Sequence, residues 1–251
     1  MGLISRGLIA GNWKMNGVTA ALAEARAIAD ALERAPGGAR AALCPPATLL
    51  QRMAVLLADS PVLLGGQDCH AEAAGAFTGD ISAEMLADAG ARLVILGHSE
   101  RRAAYAETAA LVAAKARAAL RAGLEPVICV GETMAEREAG LTLEVVTRQT
   151  RGSAPPELTD HTFAIAYEPV WAIGAGLTPT LPEIEQAHAA IRAVLRAELG
   201  VAGEAAPILY GGSVKPSNAA GILAGREVGG ALVGGASLNA QDFLAIVRAA
   251  G

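Results

Sequence analysis

Ala164-Ile165-Ala166-Tyr167-Glu168-Pro169-Val170-Trp171-Ala172-Ile173-Gly174-Ala175-Gly176 is the stretch around which this chain is organised. The apolar run that begins at Phe163 and extends to Ala166 reads as a buried strand. It ends on a carboxylate, Glu168, followed by a proline that has no N–H to give a ladder and so stops the strand. An aromatic, two glycines and few charges follow as far as Pro179. A strand ending this way delivers a general base to the edge of a site and a flap to cover it. An ordinary strand-to-helix loop with a solvated glutamate has the same local signature, so the flanking sequence must decide.

To either side the same unit recurs. Short apolar runs at 8–11, 41–44, 62–65, 92–97, 126–130, 163–167, 208–210 and 231–233 predict strands. Helical spacing follows each of them, as in Leu49, Leu50, Met53, Leu56 and Leu57. Thr180-Leu181-Pro182-Glu183 reads as a capping box opening the helix that carries Ile184, Ala187, Ile191 and Leu195. Asn239 caps a last helix. The strands are near-continuously apolar, as parallel strands covered on both faces should be.

Eight βα units in 251 residues, with no compositional break to mark a linker, predict an α/β protein made of one (β/α)8 barrel domain over 1–251. Such a barrel needs roughly 250 residues. A doubly wound open sheet has the same periodicity, which does not show closure; the unit count favours the barrel.

Hydrophobic residues make up 53% of the chain and charged residues 18%, which excludes a disordered chain. The formal charge of -5 argues against non-specific nucleic-acid binding. Cys44, Cys69 and Cys129 are scattered and form no CxxC, so neither a disulfide framework nor a zinc site is expected. They fit a reducing, cytoplasmic location. The apolar run 7–10 is broken by Asn12 and Lys14, so no signal peptide is expected, and no run is long enough to span a bilayer.

In a barrel, the residues just after the strands share one rim, where active sites lie. Asn12 and Lys14 follow the first strand, on one side of it if the strand continues. Gly97-His98-Ser99-Glu100-Arg101-Arg102 follows the fourth, and Glu168 the sixth. Gly211-Gly212-Ser213 and Gly234-Gly235-Ala236-Ser237 follow the last two, a recurrent place for a phosphate held by backbone N–H groups. Singly, the glycine pairs are tight turns, Lys14 a surface lysine and His98 a structural histidine. His70, His161 and His188 read as structural, and no His and carboxylate set has metal-ligand spacing, so no metal is expected. Together, lysine, imidazole, carboxylate and phosphate cradle suit proton abstraction beside a carbonyl in a small sugar phosphate, without a cofactor. A lyase or epimerase on a phosphate-binding barrel would share the glycine loops without needing Lys14, His98 and Glu168 in this order. A non-catalytic phosphate-binding or scaffold protein would predict substitutions at those three positions.

These residues carry a resemblance over the whole length to the triosephosphate isomerase family. The matching segments are Gly11-Asn12-Trp13-Lys14, Gly75-Ala76-Phe77-Thr78-Gly79, the Gly97–Arg102 motif, Cys129-Val130-Gly131-Glu132-Thr133, Tyr167 to Gly174, Tyr210-Gly211-Gly212-Ser213-Val214 and Val233 to Ser237. The resemblance implies a TIM barrel that interconverts dihydroxyacetone phosphate and D-glyceraldehyde 3-phosphate through an enediolate. It implies Glu168 as base, His98 as neutral electrophile, Lys14 as positive charge, Asn12 as orienting group and Glu100 as the residue that orders them. It places the phosphate on N–H groups of Gly174, Ser213, Gly234 and Gly235. The flap, with Trp171, Ile173, Gly174, Ala175 and Gly176, excludes water. It implies a homodimer in which Thr78 of loop 70–80 reaches the partner's site.

One departure falls on the flap's far hinge, Leu177-Thr178-Pro179. Where much of the family has an alanine whose N–H bonds the equivalent of Tyr210 in the shut flap, Pro179 has no N–H to offer. An active enzyme with altered flap kinetics is expected.

Overall fold

The computed structural model describes residues 7–174 and 177–251. Its strands are β1 (Leu8–Asn12), β2 (Arg40–Cys44), β3 (Leu63–Gly66), β4 (Leu93–Leu96), β5 (Glu125–Val130), β6 (Ala164–Tyr167), β7 (Ile208–Tyr210) and β8 (Gly230–Val233). All neighbours are parallel and in sequence order, and β8 pairs with β1, so the sheet closes into a barrel. Closure removes the open-sheet alternative.

The helices between strands are α1 (Leu22–Arg34), α2 (Ala47–Leu56), α3 (Ala83–Asp88), α4 (Ser99–Tyr105), α5 (Ala109–Arg121), α6 (Met134–Glu138), α7 (Thr142–Ser153), α8 (Leu181–Ala205), α9 (Ala219–Leu223) and α10 (Ala240–Arg248). The Thr180–Glu183 capping box is present at α8, and the Asn239 side chain caps α10. The spacing does not mark α4, which starts two residues after the glycine that ends the β4 run. It is short and mostly polar or alanine, so it carries no apolar stripe.

Alternation sorts the strand side chains into two cores. Leu8, Ala10, Ala42, Cys44, Leu93, Ile95, Val127, Cys129, Ala164, Ala166, Leu209 and Leu232 fill the barrel interior. The intervening residues, among them Ile9, Leu43, Val94, Ile128 and Ile165, pack under the helices. Both faces are dry, which is why the strands read as unbroken apolar runs. Four alanines among the twelve interior residues keep the barrel narrow enough to be solid.

Continuing the inward period by one step lands on the rim. From Leu8 and Ala10 it reaches Asn12, from Ala164 and Ala166 Glu168, and from Val127 and Cys129 Gly131. The pairing of Val130 with Tyr167 and of Tyr167 with Tyr210 sets Gly131 and Gly211 on either side of Glu168. A Cβ on Gly131 would sit 1.7 Å from the Glu168 carbonyl oxygen, and one on Gly211 2.9 Å from its Cγ. Only glycines leave space for the glutamate's backbone and stem.

Candidate active site

The barrel mouth opens on a cavity of about 690 Å³ lined by Asn12, Lys14, His98, Ile173, Gly174, Gly211, Gly212, Ser213, Gly234 and Gly235, among others. The residues after β1, β4, β6, β7 and β8 therefore converge on one space. Trp171, Glu100 and Glu168 are not part of that lining, and Thr78 lies out on the exposed 70–80 loop. The expected flap positions Ala175 and Gly176 lie outside the described residues.

Lys14 does not continue β1, so the expectation that it shares a strand face with Asn12 is corrected. Its φ is 53°, in the left-handed region, which costs a lysine on the order of 1–2 kcal/mol. The Asn12 side chain accepts from the Lys14 N–H at 3.0 Å, and Gln67 Nε2 donates to the Lys14 carbonyl at 2.8 Å. These bonds hold the strained turn that brings the ammonium to Glu100, 2.5 Å away.

His98 is the N-cap of α4, and its Nδ1 accepts from the Glu100 N–H at 3.2 Å. An accepting Nδ1 carries no proton, which leaves Nε2 as the N–H of the neutral ring. Nε2 faces Glu168 Oε1 at 2.9 Å. Two arginines of the same motif anchor this helix. Arg102 donates to the carbonyls of Gly97 and Cys129, and Arg101 pairs with Asp68 and Glu107. Lys115 completes that network from α5.

Glu168 is 1% exposed. Its carboxylate accepts from the Ser99 N–H at 3.0 Å and the Ser99 hydroxyl at 3.1 Å. Burial works to raise its pKa, but the facing His98 ring and the two Ser99 donors outweigh burial, and the net shift is downward. The Glu168 carboxylate is thus held ionised and turned away from the cavity. Cys129, beneath it in the barrel, is driven the other way by burial and by the Glu168 charge, so its thiol stays protonated.

The flap's first residues are tied to a second buried carboxylate. Glu132 Oε1 accepts from Trp171 Nε1 at 2.8 Å and from the Tyr167 hydroxyl at 3.2 Å. At the far hinge Pro179 is buried, and the buried Tyr210 hydroxyl has no hydrogen-bond partner among the described residues. Sequence reasoning assigned no role to Ser99, Glu132 or Gln67. Ser99 carried a signal in standing beside His98; the other two are defined only by what packs against them. Among the described residues no group of three His, Cys, Asp or Glu side chains is placed to hold a metal ion.

A closed parallel barrel with a carboxylate base, an imidazole N–H and a lysine at one mouth, beside two glycine loops after its last strands, defines a phosphate-binding barrel enzyme of the proton-transfer class. The family model described as triosephosphate isomerase matches residues 7–250. The chain is 59% identical over 244 residues to the triosephosphate isomerase of Caulobacter vibrioides, covering 97% of this chain and 96% of that one. It is 58% identical over 250 residues to that of Acidiphilium cryptum, covering 97% and 98%. The crystal structure of triosephosphate isomerase from Bartonella henselae superposes with a TM-score of 0.89 at 48% identity, covering 97% of this chain and 98% of that one. The chain belongs to the triosephosphate isomerase family.

Proposed function

We infer that this protein interconverts dihydroxyacetone phosphate and D-glyceraldehyde 3-phosphate through an enediolate, without a cofactor, as a step of glycolysis and gluconeogenesis. The observation that carries the reading is the 2.9 Å contact between His98 Nε2 and Glu168, at a mouth that also holds Lys14 and the glycine loops.

Substrate phosphate occupies the N–H groups of Gly174, Ser213, Gly234 and Gly235. Glu168 then leaves Ser99 and turns toward the substrate carbons. Freed of two hydrogen-bond donors but still in a dry site, its carboxylate gains proton affinity just when it must take a carbon-bound proton. The His98 Nε2–H, no longer engaged by Glu168, donates to the substrate oxygens. Lys14 offsets the enediolate charge, Asn12 orients the substrate, and Glu100 steadies both Lys14 and the His98 cap. The flap at 169–179, with Trp171, Ile173, Gly174, Ala175 and Gly176, excludes water and suppresses loss of phosphate.

A homodimer is part of this reading. Met15, directly after Lys14, is 96% exposed, and Val18, Phe77, Met85 and Tyr105 are exposed as well. Exposed apolar groups of this size favour a covering partner, with Thr78 reaching its Asn12 and Lys14. No helix among the described residues is long and apolar enough to cross a membrane. A cytoplasmic location accords with the three buried free thiols.

The experiment is a coupled assay of glyceraldehyde 3-phosphate conversion with the parent and Glu168→Asp. Shortening the base by one methylene should cost on the order of 10²-fold in kcat with the fold retained. A folded but inactive parent would reject the reading.

A further inference from the structure

One side chain outside the substrate cavity touches both ends of the flap. Arg137, on α6, sets its guanidinium over the Trp171 ring, 4.1 Å from the ring centre. The same guanidinium pairs with Glu183 of α8 at 2.5 Å. Trp171 lies just after the sixth strand, at the flap's start, and Glu183 just beyond Pro179, at its end. Glu183 is itself fixed, because its other oxygen accepts from the Thr180 N–H at 2.7 Å and from the Thr180 hydroxyl at 2.9 Å.

We propose that Arg137 is a positioning residue that sets how readily the flap leaves its resting pose, by carrying a fixed platform from Glu183 to the Trp171 ring. The anchor is rigid, since Glu183 closes the capping box of a long helix. The indole is the movable part. Its other tether is the single hydrogen bond from Nε1 to Glu132. A flat guanidinium held by an ion pair gives up little conformational freedom when it stacks on an aromatic face, which a lysine cannot match. Trp171 can turn only by leaving this face, so the stack opposes departure of the flap's first hinge, while the ion pair ties that resistance to the second hinge.

The proposal rests on the flap reading above, and the test separates the two. The chain holds two tryptophans, so 5-fluorotryptophan labelling yields two fluorine NMR signals. Trp13 is buried, with Nε1 donating to the Ser237 carbonyl, and serves as the internal reference. Exchange of both signals is measured in the parent, Arg137→Ala, Arg137→Lys and Glu183→Gln, free and with glycerol 3-phosphate. Glutamine keeps the capping box at this position, so Glu183→Gln removes the ion pair alone.

Arg137→Ala should speed departure of Trp171 from its resting pose about two- to fivefold, the scale of an exposed cation–π contact. Glu183→Gln should shift it the same way, Arg137→Lys should fall between, and Trp13 should not change. Trp171 exchange equal to the parent's in Arg137→Ala and Glu183→Gln overturns the proposal, and so does a joint change of both tryptophans. If Arg137→Ala does not fold, Glu183→Gln and Arg137→Lys decide. A Trp171 signal in the parent that ignores glycerol 3-phosphate removes the flap reading as well.

Discussion

Ser99 holds Glu168 through both of its donors, the backbone N–H at 3.0 Å and the hydroxyl at 3.1 Å, and so keeps the carboxylate ionised and turned from the cavity. Ser99→Ala removes one of the groups that depress the Glu168 pKa against the upward pull of burial. The free-enzyme pKa should therefore rise. Because the carboxylate is the active form, the acid limb of kcat/KM, which reports the free enzyme, should move to higher pH. The resting pose also loses a hydrogen bond worth about 1 kcal/mol. A superimposable pH profile for parent and variant would reject this role.

Lys14 separates catalysis from stability. Its ion pair with Glu100 is partly exposed, so losing it should cost at most about 1 kcal/mol of folding free energy. Lys14→Met should nevertheless lower kcat by on the order of 10²- to 10³-fold, the scale of one lost group that stabilises a developing oxyanion. Thermal unfolding and steady-state kinetics on the same preparation check both halves.

The buried Tyr210 hydroxyl has no partner among the described residues, and the family resemblance sets opposite it a hinge N–H that Pro179 lacks. Pro179→Ala supplies an N–H there, a gain of about 1 kcal/mol. It also returns hinge entropy, an opposing effect of about 0.4–1 kcal/mol. The variant should change flap opening and product release more than the proton-transfer step. Relaxation dispersion on flap residues is the measurement, and equal rates in both proteins count against the idea.

His188 makes the fold acid-sensitive. It is wholly buried on α8, with Nδ1 donating to the Glu227 carbonyl at 2.9 Å and Nε2 without a partner among the described residues. Burial pushes its pKa down to about 4. The folded state prefers the neutral ring, so the associated stability is complete above the unfolded pKa near 6.5 and is lost as pH falls toward 4. The loss amounts to about 3 kcal/mol. His188→Asn keeps a donor for Glu227 but does not titrate. Its unfolding free energy, lower at neutral pH because of the cavity, should fall less steeply between those limits in urea titrations at several pH values.

The barrel was legible because both faces of every strand are dry. Buried parallel strands appear as apolar runs, and the glycines after the seventh and eighth runs line the cavity at the barrel mouth. Asn12, Lys14, His98 and Glu168 were legible as rim residues for the same reason, since each lies within three residues of the end of a run. Helix α4 was not, because a short helix held by Arg101 and Arg102 needs no apolar stripe.

By itself the sequence determined the eight βα units, the order in which chemistry-bearing residues reach the rim, and the family to which the chain belongs. Each of these is local, set by side-chain period and by what directly follows a strand. Tertiary structure alone decided closure of the sheet, the left-handed turn at Lys14 and the capture of Glu168 by Ser99. It also decided the stacking of Arg137 on Trp171. These depend on groups far apart in the chain whose meeting is fixed by barrel register and packing, and no spacing along the chain encodes that.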